Sequence, residues 1–385
     1  MKKIAYIGCL GLIGVITTEF GVIGILPQVA AYYNITIDKA GILLSAFALV
    51  IALTGPFMML MMTGIDRRKI MIAAISMFAV TGIVSSFAPP FWLLVLVRII
   101  PAFLQPVYIS TAIAAAVAGA DQKKEHQLMG IVMGGIAIAM VTTVPFATYM
   151  ASLFDWKASF MVQTAITLIA LLGILKVMPA MPAGKKKTSG SQLKILTEPR
   201  FILSIAMNFF MIAAWFSTYS YFADYLGKTK LMSPQTISYM MLLFGITGVA
   251  ANWLAGKMLS KSIAITTAVF LSGTLLIPFA LQFSGANTLA TVIVIAVWGF
   301  LYAPCFLNAS AYMISAAPDS LEFANTLATS FGNLGVTIGT VAGGYMISVY
   351  GLDYTPWIGA VFGLLSLSMI GCRSLLEAKQ VHQAL

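Results

Sequence analysis

Charged side chains are scarce in this sequence. Only 9% of its 385 residues are Asp, Glu, Lys or Arg, whereas 60% are hydrophobic, and the mean hydropathy is +0.96. So few polar residues could not cover a water-exposed globule of this size, which excludes a soluble protein. The apolar residues form runs of about 20 rather than alternating segments of about ten, which excludes a transmembrane β-barrel.

Sequence motifs of enzymes are missing as well. The chain has no Walker A loop, so direct ATP coupling is not expected, and it has no HExxH, GxSxG or cysteine-metal spacing. Its three cysteines, Cys9, Cys305 and Cys372, lie far apart within or beside apolar runs. We interpret them as small hydrophobic residues rather than disulfide partners or metal ligands. The sequence therefore predicts a membrane protein that is not an enzyme and needs no cofactor.

Twelve apolar stretches are long enough to cross a bilayer. Their predicted limits are 4–30, 40–62, 70–88, 91–117, 127–153, 158–178, 201–226, 236–259, 263–283, 288–315, 323–350 and 354–372. If both termini lie inside, four of the 22 Lys and Arg residues fall in outer loops, one lies within a span, and the other 17 lie inside. The positive-inside rule thus predicts cytoplasmic termini, and it explains the net charge of +10 without a nucleic-acid partner.

A polar, basic segment divides these spans into six and six. Residues 179–200 contain prolines, glycines, serines and the run Lys185-Lys186-Lys187, a composition typical of flexible linkers. We therefore predict an N-terminal six-helix half (1–178), a cytoplasmic linker (179–200), and a C-terminal six-helix half with a short cytoplasmic tail (201–385). Such halves usually pack around a central cavity and rock about it.

Three short motifs lie in spans 1, 5 and 11. They read Thr17-Thr18-Glu19-Phe20, Val144-Pro145-Phe146-Ala147-Thr148 and Asn333-Leu334-Gly335-Val336. With the twelve-helix pattern, they resemble the drug/proton antiporter branch of the major facilitator superfamily, especially bacterial sugar-efflux and purine-efflux transporters. The resemblance implies an all-α membrane protein with the major facilitator fold, in the bacterial inner membrane. It also implies that helix 5, bent at Pro145, helps to make exchange obligatory.

The loop between spans 2 and 3 departs from the superfamily pattern. It keeps Asp66 and Arg67, which the resemblance implies to be gating residues, but it lacks the second glycine. The matching loop between spans 8 and 9 has no aspartate. Asp224, near the outer end of span 7, is either a helix-end acid near Lys228 and Lys230 or a gate or second proton site.

Glu19 is the one acid deep within a predicted span. An ionised carboxylate at mid-bilayer costs roughly 2.5–3.5 kcal/mol on insertion scales, so such residues are usually functional. A carboxyl group removed from water holds a proton more readily, and we therefore predict that Glu19 is a proton-coupling site. Arg98, the only cation away from the ends of a predicted span, should interact with it directly or through water. The alternatives are a structurally held carboxylate and an arginine that caps backbone carbonyls.

Polar and aromatic side chains recur on helices 4, 7 and 10. We predict that they line a substrate cavity, because their polar atoms need partners that lipid cannot supply; packing between helices is the alternative. The predicted residues are Gln105, Tyr108, Asn208, Trp215, Tyr219, Trp298, Tyr302 and Asn308. Such a surface suits a planar or amphipathic molecule.

These features together predict proton-coupled efflux of a small organic molecule by alternating access. The expected partners are that molecule, protons and the lipid bilayer, and a monomer is expected. The cargo could be drug-like, a purine or nucleoside, or a sugar. Two alternatives are a uniporter or importer without net proton exchange, and a membrane receptor that no longer transports.

Overall fold

A computed structural model describes residues 2–62, 65–118, 122–181, 192–285, 287–317 and 321–384. Within these ranges the regular secondary structure is helical and no strand occurs. Residues 182–191 of the predicted linker lie outside the described residues, while Gln192–Thr197 form a short 3-10 helix. The all-α prediction is confirmed.

Nineteen α-helices follow one another along the described chain. In the first part they are α1 (Lys2–Phe20), α2 (Leu26–Tyr33), α3 (Ile37–Ala40), α4 (Ile42–Met61), α5 (Arg67–Ser86), α6 (Phe91–Ala102), α7 (Gln105–Val117), α8 (Gln122–Ile138), α9 (Val144–Leu153) and α10 (Lys157–Val177). In the second part they are α11 (Pro199–Tyr219), α12 (Phe222–Lys228), α13 (Pro234–Leu259), α14 (Ile263–Thr274), α15 (Ile277–Phe283), α16 (Thr288–Tyr302), α17 (Cys305–Ser315), α18 (Leu321–Tyr350) and α19 (Thr355–Ala384).

Eleven helical stretches of the described chain are long and apolar enough to span a membrane, and they overlap predicted spans 1–10 and 12. The predicted eleventh span corresponds to α18, a continuous helix whose many Asn, Ser, Thr and Gly residues lower its hydropathy. Large apolar side chains such as Phe57, Trp92 and Trp253 are exposed, as expected of surfaces that face lipid. The chain is therefore a multi-pass membrane protein.

Several membrane helices are interrupted near their middle. The chain leaves α1 at Gly21 and resumes in α2, and Phe103 and Leu104 separate α6 from α7. Pro101 is the second-last residue of α6 and Pro106 the second residue of α7, and both lack the backbone N–H that a continuous helix would need. Similar breaks separate α11 from α12 and α16 from α17. These breaks place side chains of spans 1, 4, 7 and 10 at helix ends.

The chain folds into two compact units, Met1–Lys187 with Ser233–Leu242, and Thr188–Met232 with Leu243–Leu385. In the first, α1 packs against α7, α8 and α10; in the second, α11 packs against α18 and α19. Glycine allows these close approaches. A Cβ at Gly135 would lie 2.7 Å from the carbonyl oxygen of Cys9, and a Cβ at Gly339 would lie 2.5 Å from that of Ala213.

Candidate functional site

Glu19 lies in the last turn of α1 and is 3% exposed. Its hydrogen-bond partner is Gln105, the first residue of α7, whose Nε2 donates to Glu19 Oε2 at 2.5 Å. Gln105 is also buried, and its Oε1 has no hydrogen-bond partner among the described residues. The predicted proton site and one predicted cavity residue therefore form a buried acid–amide pair in the first unit.

Arg98 approaches the same region from α6. It is 2% exposed, its Nη2 donates to the carbonyl oxygen of Thr18 at 2.8 Å, and its guanidinium lies 5.9 Å from the ring centre of Phe47 and 5.4 Å from that of Phe160. The guanidinium acts on Glu19 electrostatically. No ion pair of 4.0 Å or less joins the two among the described residues. Arg98 thus binds the backbone beside Glu19 rather than its carboxylate.

Tyr108, one turn beyond Gln105, is fully buried against α1. Its hydroxyl donates to the carbonyl oxygen of Gly8 at 3.2 Å, and a side chain at Gly11 would overlap that hydroxyl. Of the two residues predicted on span 4, the structure therefore joins Gln105 to Glu19, whereas Tyr108 holds α7 against α1.

A buried amide that the sequence reasoning missed lies on α10. Gln163 is 1% exposed, its Nε2 donates to Ser159 Oγ at 3.2 Å, and its Oε1 has no described partner. Ser159 in turn donates to the carbonyl oxygen of Gly21 at 3.4 Å, at the break that follows α1. A glutamine in the mostly apolar span 158–178 was the available signal.

Pro145 lies in the first turn of α9, directly after a π-helical turn, Ala139–Thr143. The hydroxyls of Thr143 and Thr17 are 2.5 Å apart, so this turn is tied to α1 two residues before Glu19. Single π-helical turns are often found at functional sites. The irregular backbone of span 5 therefore adjoins the region of Glu19.

Asp66 is the N-cap of α5, and Arg67 is its first residue. Asp66 accepts hydrogen bonds from the backbone N–H of Lys69 at 3.2 Å and of Met181 at 2.9 Å. Arg67 donates through Nη1 to the carbonyl oxygen of Ala114 at 3.2 Å. Both residues bind elements of their own unit. Thr63 and Gly64 of the same loop lie outside the described residues.

Four predicted substrate residues of the second unit belong to one group of aromatic rings. Trp215 lies 5.7 Å from Tyr219 and 6.4 Å from Tyr302, and Trp298 lies 5.7 Å from Tyr302, all measured between ring centres. Phe244 joins the group at 5.0 Å from Tyr219 and 5.5 Å from Trp298. The indole N–H of Trp215 is buried without a described partner.

The two predicted asparagines differ. Asn208 donates through Nδ2 to the carbonyl oxygen of Ala328 at 2.9 Å, and so ties α11 to α18. Asn308 is completely buried, and neither polar atom of its side chain has a hydrogen-bond partner in the described structure. Asn308 is therefore better suited to receive a ligand than Asn208.

Asp224 is 2% exposed and pairs with Lys228, whose Nζ lies 3.0 Å from Asp224 Oδ1. Lys230 is bound elsewhere, through hydrogen bonds to the carbonyl oxygens of Leu281 and Gly285. Only one of the two lysines expected near Asp224 is thus its partner.

A second buried arginine was missed because the last span was predicted to end at residue 372. Helix α19 continues to Ala384 and buries Arg373 to 4% exposure. Its guanidinium donates to Ser204 Oγ at 2.9 Å and Ser315 Oγ at 2.8 Å, and to Glu377 at 2.9 Å. Arg98 is therefore not the only cation within an apolar helix.

Comparison with known proteins places these features in a family. Residues 8–322 match the family model described as Major Facilitator Superfamily. The chain is 26% identical over 365 residues to the "Inner membrane transport protein YdhP" of Escherichia coli, which covers 94% of this chain and 93% of that protein. It is 25% identical over 352 residues to a "Probable sugar efflux transporter" of Helicobacter pylori, covering 91% and 90%.

A solved structure shares the same fold. It is the crystal structure of a mutant of the nucleoside transporter NupG, with a TM-score of 0.74 and 13% sequence identity, covering 97% of this chain and 99% of that one. At this identity the likeness shows the fold alone. With the family match, it confirms the predicted major facilitator fold.

Proposed function

The chain belongs to the Major Facilitator Superfamily, and we propose that it exports a small organic molecule across a bacterial inner membrane in exchange for protons. The observation that carries the proposal is the pairing of a buried acid with a neutral amide, Glu19 with Gln105. A carboxylate in a buried ion pair resists protonation, because its neutralisation leaves the partner charge unpaired. An amide partner has no charge, so Glu19 can gain and lose a proton at much smaller cost.

In the proposed cycle, a proton from the outside binds Glu19 and favours outward release of the cargo. Loss of the proton to the inside resets the carrier. Arg98 supplies a fixed positive charge beside the site, and alternating access comes from rocking of the two six-helix halves. We assign the cytoplasm to both termini from the distribution of Lys and Arg, and a monomer suffices for this cycle.

The aromatic group of the second unit supports a planar or amphipathic cargo. Trp215 and Trp298 offer ring faces, Trp215 adds an unpartnered N–H group, and Asn308 offers a free donor and acceptor. A relative named as a sugar efflux transporter supports export as the direction of transport. We further propose gating roles for Asp66, Arg67, Pro145 and Asp224.

The test compares the unaltered chain with Glu19→Gln. Cells that express each form are screened for accumulation of metabolites and drugs, and the purified proteins are then assayed in proteoliposomes with an imposed pH gradient. We expect uphill efflux from the unaltered protein and none from Glu19→Gln. Glu198→Gln removes an exposed acid and is the matched control, with unchanged efflux.

Each other outcome points to a different function. Uphill efflux by Glu19→Gln would refute the assignment of the proton to Glu19. Downhill transport without proton movement would indicate a uniporter. Ligand binding without counterflow across the membrane would indicate a receptor.

A further inference from the structure

The amide of Gln105 has an atom that its bond to Glu19 leaves unused. Its nitrogen donates to Glu19, but Oε1 is buried and accepts no hydrogen bond from the described residues. A buried acceptor without a hydrogen bond is unfavourable, because it has lost its bonds to water. A state that brings a donor to Oε1 is therefore favoured.

A protonated Glu19 would be such a donor. A carboxylic acid carries one O–H donor and one carbonyl acceptor, and a primary amide carries the complementary N–H and carbonyl. The two groups can close a ring of two hydrogen bonds, from acid O–H to amide oxygen and from amide N–H to acid carbonyl. The second of these bonds is already present at 2.5 Å.

Arg98 has a buried Nε without a described hydrogen-bond partner, and the other charged groups are distant from the pair. Arg98 is the one charged group that acts on Glu19 among the described residues, and its Nη2 is bound to the backbone of Thr18. On the helices packed against α1, the other charged side chains lie in the first or last turn, among them Arg67 on α5, Glu125 on α8 and Lys157 on α10.

We propose, on the basis of the function proposed above, that Gln105 is a positioning residue whose hydrogen bonding to Glu19 changes when Glu19 gains a proton. It forms a two-bond ring with the protonated acid and a single bond with the ionised one. Glu19 lies in the last turn before the break of span 1, and Gln105 is the first residue after the break of span 4. Protonation of Glu19 therefore adds a second hydrogen bond between spans 1 and 4, at the places where the two helices are interrupted.

Infrared spectroscopy of the full-length protein in lipid vesicles tests the ring. The carboxyl band of protonated Glu19 is identified in pH-difference spectra by its loss in Glu19→Gln. In Gln105→Met, which keeps the side-chain length but has no amide, we expect this band to move to higher wavenumber, because the acid loses both hydrogen bonds. Gln163→Met removes the other buried amide of this region and is the control, with an unshifted band.

A second measurement needs no variant of Gln105. With glutamine labelled by 13C, the unaltered protein should show a glutamine carbonyl band that changes over the same pH range as the Glu19 carboxyl band. That change should vanish in Glu19→Gln. A Glu19 band that does not respond to Gln105→Met, or that titrates without any glutamine signal, overturns the ring and leaves the proposed function intact. Absence of a titrating Glu19 band overturns both.

Discussion

Lys230 provides the sharpest prediction about the stability of the second unit. This lysine lies in the loop between α12 and α13, yet it is only 9% exposed. Its Nζ donates to the carbonyl oxygens of Leu281 at 2.9 Å and Gly285 at 2.7 Å, and to Ser284 Oγ at 3.0 Å. These groups belong to the C-terminal end of α15 and the turn after it, where carbonyls lack partners within the helix and can accept hydrogen bonds from a side chain.

We expect Lys230→Met to lower the free energy of unfolding by about 2–3 kcal/mol. A hydrogen bond to a charged group contributes roughly 1.5–3 kcal/mol, and the three bonds share one desolvation cost, so their contributions do not add in full. For a unit of this size the loss corresponds to roughly 5–10 °C in the midpoint of thermal unfolding. The assay is thermal unfolding of the purified protein in detergent. Lys261→Met, which removes an exposed lysine of the same unit, should change little.

The effect should also depend on pH. Burial lowers the pKa of Lys230, so the folded protein holds this proton less tightly than the unfolded chain. The contribution of Lys230 to stability should therefore increase as the pH rises toward the ordinary lysine pKa of about 10.4. The difference between the unaltered protein and Lys230→Met should be larger at pH 10 than at pH 7. Equal midpoints for the two proteins at both pH values would refute the reasoning.

Three further predictions concern packing and buried charge. Gly135→Ala should destabilise the first unit by about 1–3 kcal/mol, because its Cβ would meet the backbone of Cys9. Gly134→Ala places its Cβ in open space and should be neutral or stabilising. Equal effects of the two variants in thermal unfolding would contradict this packing. Lys228→Gln should destabilise more than Asp224→Asn, because it leaves the buried carboxylate of Asp224 without its exposed partner, and the reverse order would exclude this ion pair. Arg373→Met should lower the unfolding midpoint without displacing the pH profile of efflux, and a displaced profile would show a role in proton coupling.

The sequence was sufficient to predict the fold class and to identify Glu19 as an acid within an apolar span. Apolar runs reveal spans because backbone polar groups in lipid must be satisfied within a helix, and one acid in such a run is conspicuous. The direct partner of Glu19 was harder to predict. Arg98 has the complementary charge, but its guanidinium lies between Phe47 and Phe160, and Gln105 reaches the carboxylate instead.

Hydropathy alone also misplaced the edges of the membrane helices. Arg373 lies beyond the apolar limit drawn at residue 372, yet the helix continues and folds the side chain inward onto serine hydroxyls and Glu377. The partners of Arg373 come from α11 and α17, which are distant in sequence. Hydropathy averaged over neighbouring residues of the sequence contains no information on such contacts.

The broken helices give the two buried acids opposite electrostatic surroundings. A helix carries partial positive charge at its N-terminus and partial negative charge at its C-terminus. Glu19 lies in the last turn of α1, where this dipole opposes a negative charge, whereas Asp224 lies in the first turn of α12, where the dipole favours one. An unbroken first helix would place Glu19 far from any helix end and remove this bias. The breaks after Phe20 and before Phe222 thus let the two helix dipoles act in opposite directions on the two acids.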